Sequence, residues 1–207
     1  MLRPDAKRRT RRPGTVALTF DDGPDPVYTP QVLETLAAHD TVATFFLVGR
    51  RAAEHPQIVR RILDDGHCIG SHTWSHPELA QTRLTRLVGE IRQGRRALEQ
   101  VAETQVVLFR PPKGHLDLRV SVAARLARVD VWKWSLDAAD WHVGRTEAEI
   151  GAALAGVGSG DVVLLHDGLE QPLAPEALDR SATVAALAPL LELCRERGLR
   201  TIRLDEA

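Results

Sequence analysis

The amino-acid sequence predicts an α/β fold in which about seven parallel strands alternate with crossover helices. Two observations carry that reading. Short apolar runs of strand length alternate with longer stretches of helical periodicity along nearly the whole chain. Polar residues able to do chemistry stand directly after the apolar runs, at the strand ends where parallel sheets keep their working groups. The alternation alone fits an open doubly wound sheet or a closed barrel. A chain of 207 residues suits one domain with one sizeable core. Residues 1–14 read as a basic flexible tail and residues 15–207 as that single domain.

The elements follow in order. The run Val16 to Phe20 is the first strand, ended by acidic residues. A helix runs from Thr29 toward His39, with Pro30 at its first position, where a missing N–H costs nothing. Thr44 to Leu47 is the second strand, and the segment after Pro56 is a helix that ends near Gly66. Cys68 to Ser71 is the third strand. Leu84, Leu87, Val88, Ile91, Leu98 and Val101 then recur at helical spacing. Val107 to Phe109 is the fourth strand, about Asp117 to Arg128 a helix, and Val129 to Trp134 the fifth strand. Thr146 and Glu149 form a capping box that opens the next helix. Val162 to Leu165 is the sixth strand. The last helix spans about Thr183 to Arg197 and contains Pro189, which predicts a kink or restart. Leu199 to Ile202 closes the pattern.

Composition narrows the partners. Hydrophobic residues make up 43% and charged residues 27%, as in ordinary globular domains. The net charge of -1 offers no global field for nucleic acid or an anionic membrane, and no apolar run is long enough to span one. Neither is expected as a partner. Lys7, Arg8, Arg9, Arg11 and Arg12 form a basic cluster, but the apolar stretch after it runs into acidic residues and not into a cleavage site. The chain as written is therefore expected in the cytoplasm, and outside the cell if an export signal has been removed from it. Cys68 and Cys194 are no disulfide framework and read as buried small hydrophobes.

Five segments carry chemistry. After the first strand, Asp21 and Asp22 place two carboxylates side by side, which raises their pKa values unless a cation relieves the repulsion. After the third strand, His72 and His76 stand four apart, and both imidazoles reach one ion if the segment turns helically. With Asp22 they make two imidazoles and one carboxylate, a set that leaves a coordination position open. After the fourth strand, Arg110-Pro111-Pro112-Lys113-Gly114 is a stiff loop whose arginine can pin a carboxylate. Asp137-Ala138-Ala139-Asp140-Trp141 follows the fifth strand, and Leu164-Leu165-His166-Asp167 ends the sixth. A carboxylate on a neighbouring strand end would raise the pKa of His166 and fix its tautomer.

Together, Thr-Phe-Asp-Asp-Gly, His-Thr-x-x-His, Arg-Pro-Pro, Asp-x-x-Asp-Trp and Leu-x-His resemble the polysaccharide deacetylase family, the NodB-homology domain or carbohydrate esterase family 4. The resemblance runs from about Val16 to Ile202 and is specific only as a joint pattern. It implies a distorted (β/α) barrel of about seven parallel strands with outer helices. It implies an amide hydrolase that removes N-acetyl groups from amino-sugar carbohydrate, such as chitin oligomers or peptidoglycan. The implied cofactor is one divalent metal, zinc foremost, with cobalt or nickel as alternatives, on Asp22, His72 and His76. Asp21 matches the general base, Arg110 the residue that orients it, His166 the general acid and Asp137 the partner of that histidine. Trp141 and Leu164 match residues that wall the acetyl pocket, and the backbone N–H of Lys113 matches an oxyanion donor.

The chain departs from the family at Lys113, where an aromatic residue often stands. That departure predicts a short substrate, or one with negative charge near the site. Aromatic residues are only 4% of the chain, so Trp74 and Trp141 are the expected substrate contacts, with Trp132 and Trp134 assigned to the core. The lack of an export signal admits a second substrate class, a small N-acetylated glycoside or natural-product intermediate inside the cell. A non-catalytic carbohydrate-binding module on the same fold would predict lost ligands or a lost acid, and neither is lost. A non-haem iron oxygenase also uses two histidines and one carboxylate, but needs no paired base and acid.

Overall fold

The structure is a computed structural model and describes residues 6–172 and 174–207. It contains the strands β1 (Thr15–Asp21), β2 (Thr44–Leu47), β3 (Cys68–Ser71), β4 (Leu108–Phe109), β5 (Asp130–Val131), β6 (Leu136–Asp137), β7 (Val162–His166) and β8 (Arg200–Thr201). The helices are α1 (Tyr28–Ala38), α2 (Gly49–Glu54), α3 (Pro56–Asp64), α4 (Leu84–Ala102), α5 (Leu118–Ala127), α6 (Glu147–Leu154) and α7 (Ser181–Glu196). Every strand pair is parallel, in the order β5-β4-β3-β2-β1-β7-β6, with β8 beside the start of β1. The two end strands, β5 and β6, are consecutive in the chain. The sheet has therefore curled until its edges nearly meet, and the fold is a distorted (β/α) barrel.

The central strands β1 and β7 are buried at every residue. β7 is apolar up to His166, whereas β1 alternates Val16, Leu18 and Phe20 on the core face with Thr15, Ala17, Thr19 and Asp21 on the other, and both strands are covered on both faces. The main core lies between them and the apolar faces of α1, α3 and α7, with Leu33, Leu36, Phe45, Ile62, Leu187 and Leu191 at its heart.

Several sequence expectations shift. Helix α1 begins at Tyr28, which moves Pro30 to its third position. Helix α7 runs through Pro189 without restarting. Helix α2 is an addition, too short to show a periodic pattern. The expected fifth strand shrinks to Asp130–Val131, because Trp132 pairs instead with Lys7. Lys7 donates its N–H to Val131 O, Lys133 donates to Lys7 O, and Lys7 Nζ reaches Asp130. Arg9 pairs with Asp161, and Thr10 is buried. Residues 6–14 thus lie along the seam between the two ends of the sheet and are not a free tail; residues 1–5 of that segment lie outside the described residues. No described helix is long and apolar enough to cross a membrane. Cys194 is buried and Cys68 partly so, both free, and burial pushes their thiols up to about 11 and about 12.

Helix α4 is the shelf under the site. A Cβ on Gly94 would stand 2.5 Å from the Thr73 backbone, and one on Gly49 would stand 2.7 Å from Gly94 Cα. Only glycines let α2, α4 and the segment after β3 approach this closely. One turn earlier on α4, Glu90 accepts from the Ser75 N–H at 3.0 Å and from its hydroxyl at 2.9 Å.

Candidate active site

The residues singled out after the strands converge at the carboxyl end of the barrel. Asp21 ends β1 and His166 ends β7, and the two stand opposite each other in register. His72 follows β3, and Arg110 follows β4.

Asp22, His72 and His76 are buried, and their ligand atoms lie within 4.8 Å of one another. His72 Nδ1 lies 2.8 Å from Arg110 O. A carbonyl only accepts, so Nδ1 carries the proton and Nε2 presents a lone pair. That Nε2 lies 3.3 Å from Asp22 Oδ1, and His76 Nε2 lies 3.4 Å from the same oxygen. Asp22 Oδ1 is buried without a hydrogen-bond donor. Burial works to raise the Asp22 pKa, but His72, His76 and His166 around it outweigh burial and hold the carboxyl well below its usual range. Burial also lowers the pKa of His76 and favours its neutral form. Asp22, His72 and His76 thus form a group that could hold a divalent cation, with one carboxylate oxygen facing two imidazole nitrogens.

The two histidines do not meet by helical spacing, as the sequence suggested. The segment is irregular, and both Thr73 (φ 70°) and His76 (φ 51°) take left-handed backbone. Asp22 does too, at φ 72°. Such conformations cost roughly 1 kcal/mol or more each outside glycine, so surrounding contacts must hold them.

Asp21 lies beside this group. Arg110 Nη1 donates to Asp21 Oδ1 and to Thr19 Oγ1, both at 2.7 Å, and Nη2 donates to Lys133 O at 3.1 Å. The guanidinium is fully buried against the ring of Phe46, 4.1 Å from its centroid. Burial pushes its pKa down and Asp21 pushes it up, and guanidinium stays charged in either case. Arg110→Met should therefore cost about 3–5 kcal/mol of unfolding free energy by leaving a buried carboxylate unpaired. Chemical denaturation of the metal-free protein measures it, and an unchanged midpoint would mean the pair is not coupled.

The profile of the family described as polysaccharide deacetylase matches residues 8–132 of this sequence, more than half of its length. The chain belongs to the polysaccharide deacetylase family. Among its relatives, a peptidoglycan-N-acetylglucosamine deacetylase of Bacillus cereus is 38% identical over 193 residues, covering 92% of this chain and 86% of that one. A chitooligosaccharide deacetylase of Sinorhizobium fredii is 37% identical, covering 94% of each. A family 4 carbohydrate esterase from Streptomyces lividans, solved in complex with acetate, superposes with a TM-score of 0.80 at 29% identity over 91% of each chain.

Within this deacetylase-family fold, the expected partner of His166 is corrected. The partner of His166 is Asp140 and not Asp137. Asp140 Oδ1 lies 2.8 Å from His166 Nδ1, and Oδ2 accepts the His166 N–H at 2.8 Å and the Thr183 hydroxyl at 2.9 Å. Asp137 stands in register with Leu164, two residues short of His166, and its carboxylate accepts from the Ala139 N–H at 2.8 Å. The chain then turns through Ala139 (φ 53°) and brings Asp140 back toward the end of β7. Buried Arg180 donates to Asp140 O and Ala177 O and fastens that turn. Burial works to lower the His166 pKa, but Asp140, with smaller help from Asp22 and Asp21, raises it to about 9.

These groups open into a cavity of about 660 Å³. Lys113, Trp141, Leu164 and Asp137 line it, as do Trp134 and His142, which the sequence left out. Trp134 packs on Gly114, where a Cβ would stand 2.5 Å from the ring, so it is a wall and not a core residue. His142 stacks on Trp141 at 3.7 Å between ring centroids. Trp74 is corrected in the other direction. It packs on Gly49 of α2 and is not among the cavity-lining residues. Lys113 Nζ pairs with Glu78 at 2.7 Å, both exposed, so its charge is already answered and gives no support to an anionic substrate.

Proposed function

We propose that this chain hydrolyses the acetamide of N-acetylated amino sugars in oligosaccharide or peptidoglycan-like substrates, with a divalent cation, zinc foremost, on Asp22, His72 and His76. The observation that carries the reading is the donorless Asp22 Oδ1 facing two imidazole nitrogens, with Asp21 and His166 beside it in one cavity. The names of the relatives support the substrate class.

A cation bound there supplies positive charge that polarises the amide carbonyl and lowers the pKa of an adjacent water toward about 7. The side chains divide the proton transfers. Asp21, with one oxygen held by Arg110, accepts the proton of the attacking water through the other. His166 is protonated and oriented by Asp140 through Nδ1, and gives its Nε2 proton to the departing sugar nitrogen as the C–N bond breaks. The Lys113 N–H, on a loop turned by left-handed backbone at Lys113 and Gly114, donates to the carbonyl oxygen as charge builds on it. Leu164 and Trp141 bound the space for the acetyl methyl.

The test is acetate release from chitin oligomers, peptidoglycan fragments, acetylated xylan and small N-acetylated glycosides, after chelation and reloading with zinc or cobalt. Release from the amino-sugar substrates, abolished by chelation and restored by metal, is expected. Release from the small glycosides alone would favour an intracellular small-molecule substrate. Zinc-loaded protein that releases no acetate from any of them would point to a non-catalytic module.

A further inference from the structure

Two of the three proposed metal ligands, Asp22 and His76, hold left-handed backbone, and one loop touches both. That loop follows β7. Its Glu170 N–H donates to Asp22 Oδ2 at 2.9 Å, and its Gln171 side-chain amide donates to His76 O at 2.8 Å. The loop comes so close because Gly168 lacks a side chain. A Cβ there would stand 3.0 Å from Asp22 O and 2.7 Å from the guanidinium of Arg51.

Arg51, on α2, is what holds the loop down. Its Nε donates to Glu170 Oε1 at 2.6 Å and its Nη2 to Leu169 O at 2.9 Å, with both side chains largely buried. Arg50 adds a second, more exposed contact to the same carboxylate at 3.3 Å. Helix α2 itself is tied to the histidine segment, since Gly49 donates to Thr73 O and Arg50 to Trp74 O. A closed circuit of contacts therefore runs from Asp22 through Glu170 and Arg51 to the chain between His72 and His76.

We infer that the Arg51–Glu170 ion pair is a clamp that sets the metal affinity of the site by holding the loop 168–171 against Asp22 and His76. The two are positioning residues. This rests on the reading of Asp22, His72 and His76 as metal ligands. Oriented outer contacts of this kind typically contribute about 10–100-fold in metal affinity.

The test is zinc binding to the chelated full chain by competition with a chromophoric chelator, for wild type, Glu170→Gln, Glu170→Ala, Arg51→Ala and the double alanine variant. The Kd should rise about 10–100-fold in each single alanine variant. The double variant should lose less than the product of the two single losses, because the two side chains share the Arg51–Glu170 contact. Glu170→Gln keeps an acceptor oxygen and should fall between, and it guards against a loss of fold in the alanine variants. Visible spectra of the cobalt-loaded proteins should shift in the alanine variants, which a remote effect on stability alone would not cause. Wild type with no affinity for zinc would overturn the metal reading and the clamp together. Wild type that binds zinc, with Glu170→Ala and Arg51→Ala binding as tightly, would overturn the clamp alone. Losses in affinity that only track losses in metal-free unfolding free energy would also overturn it.

Discussion

Asp21→Asn is expected to slow acetate release by about 10²–10⁴-fold, the range for a lost general base, while zinc affinity stays near that of wild type. Asparagine keeps the shape of the side chain and can still accept from Arg110 Nη1 through its oxygen. What it loses is a site for the proton. Asp21 stands outside the ligand group of Asp22, His72 and His76, and its Oδ2 lies 3.9 Å from His72 Nε2. Rate and affinity should therefore separate cleanly, and steady-state kinetics with bound zinc quantified in the same sample measure both. His72→Ala supplies the opposite signature, loss of the metal itself. A variant Asp21→Asn that turned over at the wild-type rate would remove Asp21 from the chemistry. One that lost zinc in proportion to rate would make it a ligand.

The contrast between these residues and the clamp shows what a sequence can reveal. Asp21, Asp22, His72, Arg110 and His166 were legible because each stands at, or directly after, the end of a strand. Parallel strands aim their carboxyl ends at one place, so adjacency in the fold follows from position in the pattern. The curl of the sheet was legible for a related reason, since the joint motif brings a known barrel with it. Asp140 was not legible. The Asp-x-x-Asp motif offers two carboxylates, and only the backbone reversal at Ala139 decides which of them faces His166. The clamp was hidden more deeply, because Arg51 and Glu170 are 119 residues apart and neither lies in a pattern. Trp74 and Trp134 were exchanged because both lie in irregular chain, Trp74 after β3 and Trp134 between β5 and β6, where no strand or helix period assigns a face.

Asp140→Asn should lower the rate by about 10²–10⁴-fold and move the alkaline limb of its pH profile to lower pH, while Asp137→Asn should leave that limb in place. The sign follows from the charge balance at His166. Its burial opposes the protonated form, yet the pKa rises to about 9, chiefly because Asp140 stands against Nδ1. The imidazolium is the proton donor, so activity falls as pH climbs through that pKa. Without the Asp140 charge, burial goes unopposed, the pKa drops, and the donor is lost at lower pH. A cation on Asp22 offsets the smaller contributions of Asp22 and Asp21 and leaves Asp140 in place, so the loaded enzyme should show its limb below 9. The same shift links to stability. A raised histidine pKa stabilises the fold fully below about 6.5, and that contribution is lost as pH rises through about 9. Asp140→Asn should therefore destabilise the protein more at pH 6 than at pH 10, by a pH-dependent amount that denaturant midpoints can resolve. Asp137 accepts one backbone N–H, stands in register with Leu164 and makes no hydrogen bond to His166, so the limb should not move with it. A profile that moved in Asp137→Asn and stayed fixed in Asp140→Asn would reverse the assignment of the pair.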